Sequence, residues 1–397
     1  MMPISIVDWT LLAVAIVALL ATLPGTFELA LISLGALLPE PRKPGPLPGA
    51  REPCLAVIVP VYNEERGLAV TIRSLLSCDD PLPAAHIVVM ACNTTDNSTA
   101  VAGELGCTVI ERIDPTRRGK GYGLDYAFRE LEGQGYDAYI VVDADTTVEH
   151  NFLNAFRVLI AHGAEAGQCI LRVANPAAST RTRLLNIAFL AFTFLRPFAR
   201  HRLGLSAGLF GNGFALRADT VKRIPYHCFS IAEDLEYHTR LIQSGVRVEF
   251  VGDTSVSTDM LTTQAGAKSQ RERWEGGRLR IMLGRAPTLL CEILLRRRWR
   301  LVEPLLELLL LPLAYHVLFL MLILLVSGSI LLYAIAGLLL VVAHVIQAML
   351  IGRAEAGDWK ALAAVPIYIC WKLLHLGGII RAASKSTPWK RTERGNT

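Results

Sequence analysis

The chain has 397 residues, of which 52% are hydrophobic and only 19% are charged, and its 40 Lys and Arg against 35 Asp and Glu give a formal net charge of +5. Soluble domains carry about 25% charged residues, so the composition indicates a membrane protein and excludes disordered and fibrous classes. At roughly 100 to 200 residues per domain, the length allows one globular domain and a few membrane spans, and it excludes a large transporter.

The amino-terminal segment predicts a transmembrane helix within residues 1–38. Residues 9–27 carry no charge, and the apolar run continues past Glu28, with Pro24 as the expected position of a kink. The segment lacks the features of a secretory signal, because Asp8 rather than a basic residue precedes it and no small-residue cleavage site follows a short apolar core.

Residues 39–53 form a linker in which prolines alternate with basic residues. Six prolines make this linker stiff, and Arg42, Lys43 and Arg51 make it positively charged. By the positive-inside rule, we expect the linker to be cytoplasmic and the amino terminus to lie outside, in an inner or plasma membrane.

Residues 54–276 alternate between strand-like and helical patterns. The β-rich runs lie at residues 56–59, 87–91, 108–111 and 138–142. Helical patterns lie between them at residues 65–76 and 124–131. This alternation predicts an α/β fold of βαβ units with a mostly parallel sheet covered on both faces. The eight cysteines of the chain form no CxxC pair, which predicts reduced thiols in a cytosolic domain. Ligands bind such sheets at the carboxyl ends of the strands.

A polar cluster follows each of the four predicted strands. In chain order, these clusters are YNEE at 62–65, CNTTD at 92–96, RRGKG at 117–121 and DADT at 143–146. Taken singly, each cluster is also typical of a helix cap or a solvated turn. Asp143 and Asp145 can face one hard cation, however, and Lys120 between two glycines can face a phosphate. Together the clusters predict a nucleotide-diphosphate site at one edge of the sheet.

Residues 184–198 form an apolar run that is too short to cross a bilayer. Arginines lie at and beside its ends, namely Arg181, Arg183, Arg196 and Arg200. We interpret this run as an amphipathic helix that lies on the membrane face of the domain.

Two further motifs lie late in the domain. Glu233-Asp234 precedes a helical pattern, where Asp234 can act as a general base or as a favourable charge at a helix start. The sequence QRERW contains Gln270, Arg273 and Trp274, and it is also typical of a juxtamembrane basic helix with an interfacial Trp.

A basic interfacial segment, residues 277–300, precedes a carboxy-terminal membrane block at residues 301–381. The arginines that should keep the basic segment cytoplasmic are Arg278, Arg280, Arg285, Arg296, Arg297, Arg298 and Arg300. The block contains two strongly apolar segments, residues 305–326 and 330–351, joined by Ser327-Gly328-Ser329.

A third apolar segment, residues 361–380, is ambiguous. It contains Pro366 and Lys372, and a basic tail at residues 382–397 follows it. If the segment crossed the membrane, this tail would lie outside, against the positive-inside rule. We therefore favour a re-entrant or tilted interfacial segment and a cytoplasmic carboxy terminus.

Six motifs carry a resemblance to a known family. In chain order they are VIVPVYNEE, RRGKGYGLDYAF, VVDADT, GLFGNGFALR, AEDLEYHTRLIQSG and QRERW. Over residues 56–278 this set resembles the family 2 glycosyltransferases with a GT-A fold. It is most similar to their membrane-integrated branch, which contains cellulose, chitin and hyaluronan synthases and ceramide glucosyltransferases. The acidic pair followed by QxxRW is specific to that branch.

The resemblance implies an inverting transferase that uses Mg²⁺ or Mn²⁺ and a nucleotide-diphosphate sugar, usually UDP-linked. It implies nucleotide-sugar contacts by Tyr62, Glu64, Asp96, Lys120, Asp143 and Asp145. The acidic pair Glu233 and Asp234 would be catalytic, with Asp234 as the general base. Residues that close the site or contact the acceptor would be Gly211, Asn212, Gly213, Gln270, Arg273 and Trp274.

Within that set, the resemblance gives individual residues distinct roles. Asp96 would help to hold the base, Lys120 would meet the diphosphate, and Asp145 would ligate the metal. Asp143 would face the ribose and the sugar. Cys92 stands where many relatives have Asp, which puts the usual preference for uridine in doubt.

Two acceptor classes agree with these motifs. The leading hypothesis is extension of a polysaccharide or oligosaccharide at the inner leaflet, with a homo-oligomer or an export subunit as partner. The alternative is a single addition to a membrane lipid such as a sphingolipid, a hopanoid-like lipid or a polyprenyl carrier, which the small number of spans favours slightly. A catalytically inactive sensor or transporter subunit would be expected to lack a carboxylate such as Asp145 or Asp234, and both are present. No nucleic-acid partner is expected.

Overall fold

The computed structural model describes residues 6–41, 45, 51–374, 377–378 and 381. Part of the predicted linker and all of the predicted basic tail lie outside these residues. All eight cysteines lie within them and are unpaired, in agreement with the predicted reduced thiols.

One sheet of eight strands organises the described part of the chain. The strands are β1 (Leu55–Val61), β2 (Ile87–Cys92), β3 (Thr108–Arg112), β4 (Ala138–Val141), β5 (Thr146–Val148), β6 (Ala166–Val173), β7 (Phe214–Arg217) and β8 (Val248–Thr258). Their order across the sheet is β3-β2-β1-β4-β7-β6-β8-β5. The first four strands are parallel to one another, and β7 runs antiparallel to both β4 and β6.

The predicted strands correspond to β1–β4 within two residues at each end. The α/β class is confirmed, but the sheet is mixed, because β5 also runs antiparallel to its neighbour β8 while β6 and β8 are parallel. The strands β5–β8 are absent from the sequence prediction.

The described helices surround this sheet and extend beyond it. They are α1 (Ile6–Gly35), α2 (Glu65–Leu76), α3 (Ser98–Glu104), α4 (Lys120–Leu131), α5 (Phe152–Ala161), α6 (Thr180–Phe189), α7 (Arg196–Arg202), α8 (Ala218–Arg223), α9 (Glu233–Gln243), α10 (Gln264–Arg296), α11 (Val302–Leu309), α12 (Leu313–Val326), α13 (Leu331–Ile351), α14 (Ala356–Ala361) and α15 (Val365–Leu374). The predicted helix at residues 65–76 matches α2. The helix predicted at 124–131 begins four residues earlier, so Lys120 lies in the first turn of α4.

The central strand β1 is buried on both faces. Successive side chains of a strand point to opposite faces, so Val57 and Ile58 belong to different layers of the core. Val57 packs in the layer that contains Ile72 of α2, and Ile58 packs in the layer that contains Leu124 of α4. All four side chains are fully buried. The carboxyl ends of the parallel strands are therefore held in place by packing on both sides.

Two helices of the described residues are long and apolar enough to cross a membrane: Trp9–Gly35 within α1, and α13. The helix α1 continues through Pro24, where a kink was expected. The predicted span at residues 305–326 is broken instead, because the axes of Trp299–Leu309 and Leu313–Val326 differ by 84°. Pro312 lies at this break, where it cannot donate the backbone hydrogen bond that a continuous helix requires.

The described part of the ambiguous segment comprises the end of α14, the 3₁₀ turn Leu362–Ala364, the short helix α15 and residues 377–378. Ten helical residues extend about 15 Å, which is half the thickness of the hydrocarbon core. Part of residues 375–380 lies outside the described residues, so the re-entrant arrangement of this segment stays a prediction.

The helix α10 contains both QRERW and most of the predicted basic interfacial segment. The predicted boundary between residues 276 and 277 therefore falls inside one continuous helix. The helix ends at Arg297, which adopts a left-handed conformation with φ of 52°.

Residues 184–198 differ from the predicted surface helix. They belong to α6, to the π-helical turn Leu190–Leu195 and to the start of α7. Leu190 and Leu195 pack with Ile32 of α1 and Ala348 of α13. Arg196 is almost fully buried, although arginine is usually a sign of an exposed surface. The sequence did not indicate this burial because the acidic partners of this arginine lie far away along the chain, and the position of the run on the membrane face stays a prediction.

Candidate active site

The loops that follow β1, β2 and β3 are tied to one another by two asparagines. Asn63 and Asn93 adopt left-handed conformations with φ of 55° and 52°, which asparagine tolerates better than most residues. The Asn63 Oδ1 atom accepts the Thr95 N–H at 2.7 Å, and Asn93 Oδ1 accepts the Asp114 N–H at 2.7 Å. These bonds hold the predicted nucleoside-binding loops in one arrangement.

Asp96 connects the loops that precede α2 and α3. Its carboxylate accepts hydrogen bonds from the Glu65 N–H at 3.0 Å and from the Ser98 N–H and hydroxyl at 3.0 and 2.6 Å. The Glu64 N–H in turn donates to Ser98 Oγ at 3.0 Å. Asp96 thus orders the loop that carries Tyr62 and Glu64, and its contact with a base remains a prediction.

An aromatic and cationic wall lies beside Cys92, and the sequence reading missed it. The rings of Tyr122 and Phe229 stack at 4.3 Å, and the Arg112 guanidinium lies 5.7 Å from the Tyr122 ring centre. Burial raises the pKa of the Cys92 thiol, while the Arg112 charge opposes this shift. A Cβ atom at Gly123 would lie 2.9 Å from the Cys92 sulfur, so a side chain there would require Cys92 to move.

Lys120 and Asp143 meet at the centre of the predicted site. The Lys120 Nζ atom contacts the Asp143 carboxylate and donates to the Gly211 carbonyl oxygen at 2.5 Å. Burial disfavours the charged lysine, but the neighbouring carboxylates of Asp143, Glu233 and Asp234 raise its pKa overall. Lys120 is therefore a positive charge at the carboxyl end of β4.

The Gly211-Asn212-Gly213 loop forms the base of the site. Its two glycines have left-handed φ values of 78° and 63°. Asn212 Oδ1 accepts the Asp143 N–H at 3.0 Å, which fixes the acidic turn after β4. The fully buried Gln168 of β6 holds the loop from behind, because its side chain donates to the Asn212 carbonyl at 2.8 Å. Sequence reasoning did not find Gln168, which lies in an unpredicted strand.

Glu233 and Asp234 open α9 beside this loop. A Cβ atom at Gly211 would lie 3.3 Å from Asp234 Oδ2, and a Cβ atom at Gly121 would lie 3.4 Å from that of Glu233. Burial raises the pKa of both acids, and the mutual repulsion of the pair adds to the shift of Glu233 while Lys120 opposes it. The structure thus brings the predicted catalytic acids together with Lys120 and Asp143.

Asp145 lies two residues after Asp143 and is half-buried. Among the described residues, no three His, Cys, Asp or Glu side chains are grouped so that they could enclose a metal ion. Mg²⁺ is commonly held by one or two carboxylates together with substrate phosphates, and the Asp143–Asp145 turn fits that mode of binding.

The QRERW residues lie on α10, which packs beside the acidic pair. A Cβ atom at Gly277 of α10 would lie 3.6 Å from Ala232, the residue before Glu233. Trp274 is 43% exposed, and its ring centre lies 6.4 Å from that of Phe189. Gln270 and Arg273 are half-buried on the same helix. The roles predicted for these three residues at the acceptor remain predictions.

This mixed α/β sheet, with a lysine, an acidic turn and a second acidic pair at one edge, defines a GT-A glycosyltransferase domain. The family model described as "Glycosyltransferase like family 2" matches residues 52–277, which is more than half of the chain. The chain belongs to this family, as the motifs predicted.

Similar proteins cover the chain to different extents. A probable glycosyltransferase, YdaM of Bacillus subtilis, is 25% identical over 240 residues, which are 58% of this chain and 56% of that protein. The low-salt glycan biosynthesis hexosyltransferase Agl6 of Haloferax volcanii is 32% identical over 111 residues, or 28% of this chain and 25% of that protein. The chain thus spans about half of the first relative and a quarter of the second.

A solved structure extends the likeness in fold to nearly the whole chain. The mannosyltransferase PcManGT from Pyrobaculum calidifontis, in complex with GDP-Man and Mn²⁺, superposes with a TM-score of 0.59 at 18% identity. The superposition covers 95% of this chain and 98% of that one. The likeness therefore includes helices outside the GT-A domain.

Proposed function

We propose that this protein transfers a sugar from a nucleotide-diphosphate donor to an acceptor at the cytoplasmic membrane face, with inversion of the anomeric carbon. The observation that carries the proposal is the meeting of Lys120, Asp143 and Asp234 at the Gly211 loop. A cation and a carboxylate beside one loop suit a reaction that expels a diphosphate and removes a proton.

The donor lies across the carboxyl ends of β1, β2 and β4 in this proposal. Tyr62, Glu64 and Asp96 surround the nucleoside, and Asp143 faces the ribose and the sugar. Lys120 meets the diphosphate. The hydrogen bonds that join the three loops support this arrangement, because they pre-organise the groups before the donor binds.

Asp145 would hold Mg²⁺ or Mn²⁺ between the protein and the diphosphate. When bound, this cation supplies positive charge that stabilises the departing diphosphate. Lys120 and Arg273 contribute further positive charge to the same group. Asp234 accepts the proton of the acceptor hydroxyl as that hydroxyl attacks the anomeric carbon, and a single displacement inverts its configuration.

The leading acceptor is a glycan chain stacked on Trp274. The half-exposed indole offers a broad apolar surface to a sugar ring, with little directional hydrogen bonding. Such a surface can hold each new terminal sugar in turn, which suits repeated addition.

A second candidate acceptor is a membrane lipid. It is favoured by a cluster of cations and aromatic rings where α15 meets α10, one helical turn from Trp274. The Arg271 guanidinium lies 5.1 Å from the Tyr368 ring centre and 4.6 Å from that of Trp371, both on the apolar helix α15. Lys372 of α15 pairs with Glu275 at 2.7 Å. A helix of this kind beside Trp274 would keep a lipid head group close to the donor site.

Product analysis by mass spectrometry tests the proposal. The purified full-length protein is incubated with UDP-, GDP-, CDP- and TDP-sugars and with glycan or lipid acceptors. We expect transfer from at least one donor, with a ladder of masses for a polymer and one added mass for a lipid. The proposed function would be contradicted if no donor gave either transfer or hydrolysis.

Replacing Trp274 with Ala is expected to shorten glycan products or abolish them, while slow hydrolysis of the donor persists, because the stacking surface is lost. Product lengths measured by mass spectrometry check this. Trp299→Ala, which removes an exposed indole beyond the end of α10, is the matched control. A single product of fixed mass from the wild type and from Trp274→Ala would contradict repeated addition and favour the lipid acceptor.

Replacing Cys92 with Asp is expected to increase the preference for UDP over other nucleotides. A thiol is a weak hydrogen-bond partner for the uracil N–H, and one such contact is worth about 1 to 3 kcal/mol. Calorimetric titration of the wild type with UDP, GDP, CDP and TDP should show weak discrimination in favour of UDP. Cys291→Ser on the exposed face of α10 is the control. A clear preference of the wild type for GDP would contradict the uridine assignment.

A further inference from the structure

A buried network of charges joins the amino-terminal span to the helices around the site. Arg196 Nε lies 3.1 Å from Glu28 Oε1 of α1, and Arg196 Nη1 lies 3.1 Å from Glu307 Oε1 of α11. Arg200 Nη1 contacts the same Glu28 oxygen at 3.1 Å. These four side chains are each at most 6% exposed, so water cannot stabilise their charges.

The network continues from Glu307 to the helix that carries the proposed base. Glu307 Oε2 lies 3.0 Å from His238 Nδ1, and His238 Nε2 lies 2.8 Å from the Ser206 hydroxyl oxygen. That oxygen also accepts the Val248 N–H at 3.0 Å, so its own hydrogen is available for Nε2. Glu307 Oε2 and His238 Nδ1 face each other at ion-pair distance without the alignment of a hydrogen bond, so this link is a close contact of the two side chains.

A second acid of α11 holds Ser206, which lies in the connection between α7 and β7 that leads to the Gly211 loop. Glu303 lies one turn before Glu307 on the same helix face, and its Oε1 atom accepts the Ser206 N–H at 2.7 Å. Glu303 also pairs with Arg200 at 2.5 Å. A Cβ atom at Gly208, two residues after Ser206, would lie 3.8 Å from Glu307 Oε1.

The loop and α9 are therefore joined at two points. His238 and Asp234 are four residues apart on α9, which places them on the same face of the helix. His238 contacts the loop at Ser206, and Asp234 contacts it at Gly211.

We propose that Glu307 is a positioning residue: through His238 and Ser206 it sets the place of Asp234 relative to the Gly211 loop, and it links that geometry to the membrane helix α1. The inference rests on the proposed function, because Asp234 must act as the base for its position to matter. Buried ion networks stabilise a fold less than their number of contacts suggests, and one recognised use of them is to select a single arrangement.

The test is Glu307→Gln in the full-length protein, which keeps the shape of the side chain and removes its charge. We expect kcat for sugar transfer to fall about 10- to 100-fold, since a displacement of about 1 Å near the reacting groups has effects of this size. Donor binding, measured by titration of the nucleotide diphosphate, should change much less than kcat, because Lys120 and Asp143 also hold each other directly.

The pH profile supplies a readout that a purely structural role would not move. The charged or titratable groups near Asp234 are Lys120 of α4, Glu233 of α9, Tyr226, Arg278 of α10 and Glu307. Burial raises the pKa of Asp234, and the negative charge of Glu307 adds to this shift. Loss of that charge should therefore move the acid limb of the rate profile to lower pH.

Two further variants keep the inference falsifiable. Glu355→Gln breaks the exposed pair with Arg183 at 3.2 Å and should leave kcat unchanged. If Glu307→Gln does not fold, Ser206→Ala removes the hydroxyl that contacts His238 and accepts the Val248 N–H, and it should still lower kcat. Wild-type kcat and an unshifted acid limb in Glu307→Gln, with or without a lower melting temperature, would overturn the inference. Undiminished transfer by Asp234→Asn would instead overturn the proposed function.

Discussion

Replacing Asp145 with Asn is expected to abolish sugar transfer while the protein stays folded. The amide keeps the shape of the carboxylate but carries no charge to hold a divalent cation against the diphosphate, so the leaving group loses its main stabilisation. Transfer by the variant is compared with the wild type over a titration of Mg²⁺ or Mn²⁺, and circular dichroism monitors folding.

Asp219→Asn provides the matched control, because Asp219 is an exposed acid on α8. This control should transfer sugar at the wild-type rate. Near-normal transfer by the wild-type enzyme in excess EDTA would contradict the predicted metal site.

Replacing Asp234 with Asn is expected to lower kcat by about two to four orders of magnitude, because the amide cannot accept the proton of the acceptor hydroxyl. Donor binding should survive, since Lys120 and Asp143 keep their positions. Steady-state kinetics and calorimetric titration of the nucleotide separate the two effects. The wild-type rate should also rise with pH through a pKa above the ordinary value of an aspartate, because burial raises the pKa of Asp234.

Glu236→Gln is the matched control for this substitution. Glu236 is another acid in the first turn of α9, but it pairs with Arg285 at 2.8 Å. We expect its replacement to leave kcat close to the wild-type value. If binding and turnover fell together in Asp234→Asn, the residue would be a helix cap and not the base.

The first half of the sheet was predictable because its strands are short, continuous apolar runs. The segment of β1, LAVIVPV, reads as a strand buried on both faces, and its polar loop residues follow where the run ends. The candidate site could be predicted for the same reason, since parallel strands bring their carboxyl ends to one edge of the sheet. Lys120, Asp143 and Asp145 were identified in this way.

The second half of the sheet was not predictable from local pattern. The strand β6 includes the buried polar residue Gln168, and β8 contains Gly252 and Asp253 within its run. Tertiary packing overrides the weak strand preference of such residues. The antiparallel insertion of β7 between β4 and β6 also leaves no local mark in the sequence.

The buried charge network lay beyond sequence reasoning because its members are distant along the chain. Arg196 and Glu28 are 168 residues apart, and Arg196 and Glu307 are 111 residues apart. An arginine at the end of an apolar run indicates a membrane surface unless its acidic partner is known. Only the fold brings the partners together.

The glycines at the base of the site determine how its specificity can change. Any side chain at Gly121 would collide with the Cys228 carbonyl, and Gly211 lies directly against Asp234. The neighbour of Gly121 is a main-chain atom, which cannot adopt a new rotamer to make room for a side chain, and the neighbour of Gly211 is the carboxylate of the proposed base. In the proposed function, Cys92 is placed at the nucleotide and Trp274 at the acceptor. With these proposed roles, substitutions at Cys92 and at Trp274 would alter the nucleotide preference and the acceptor preference separately, without a change at Gly121 or Gly211.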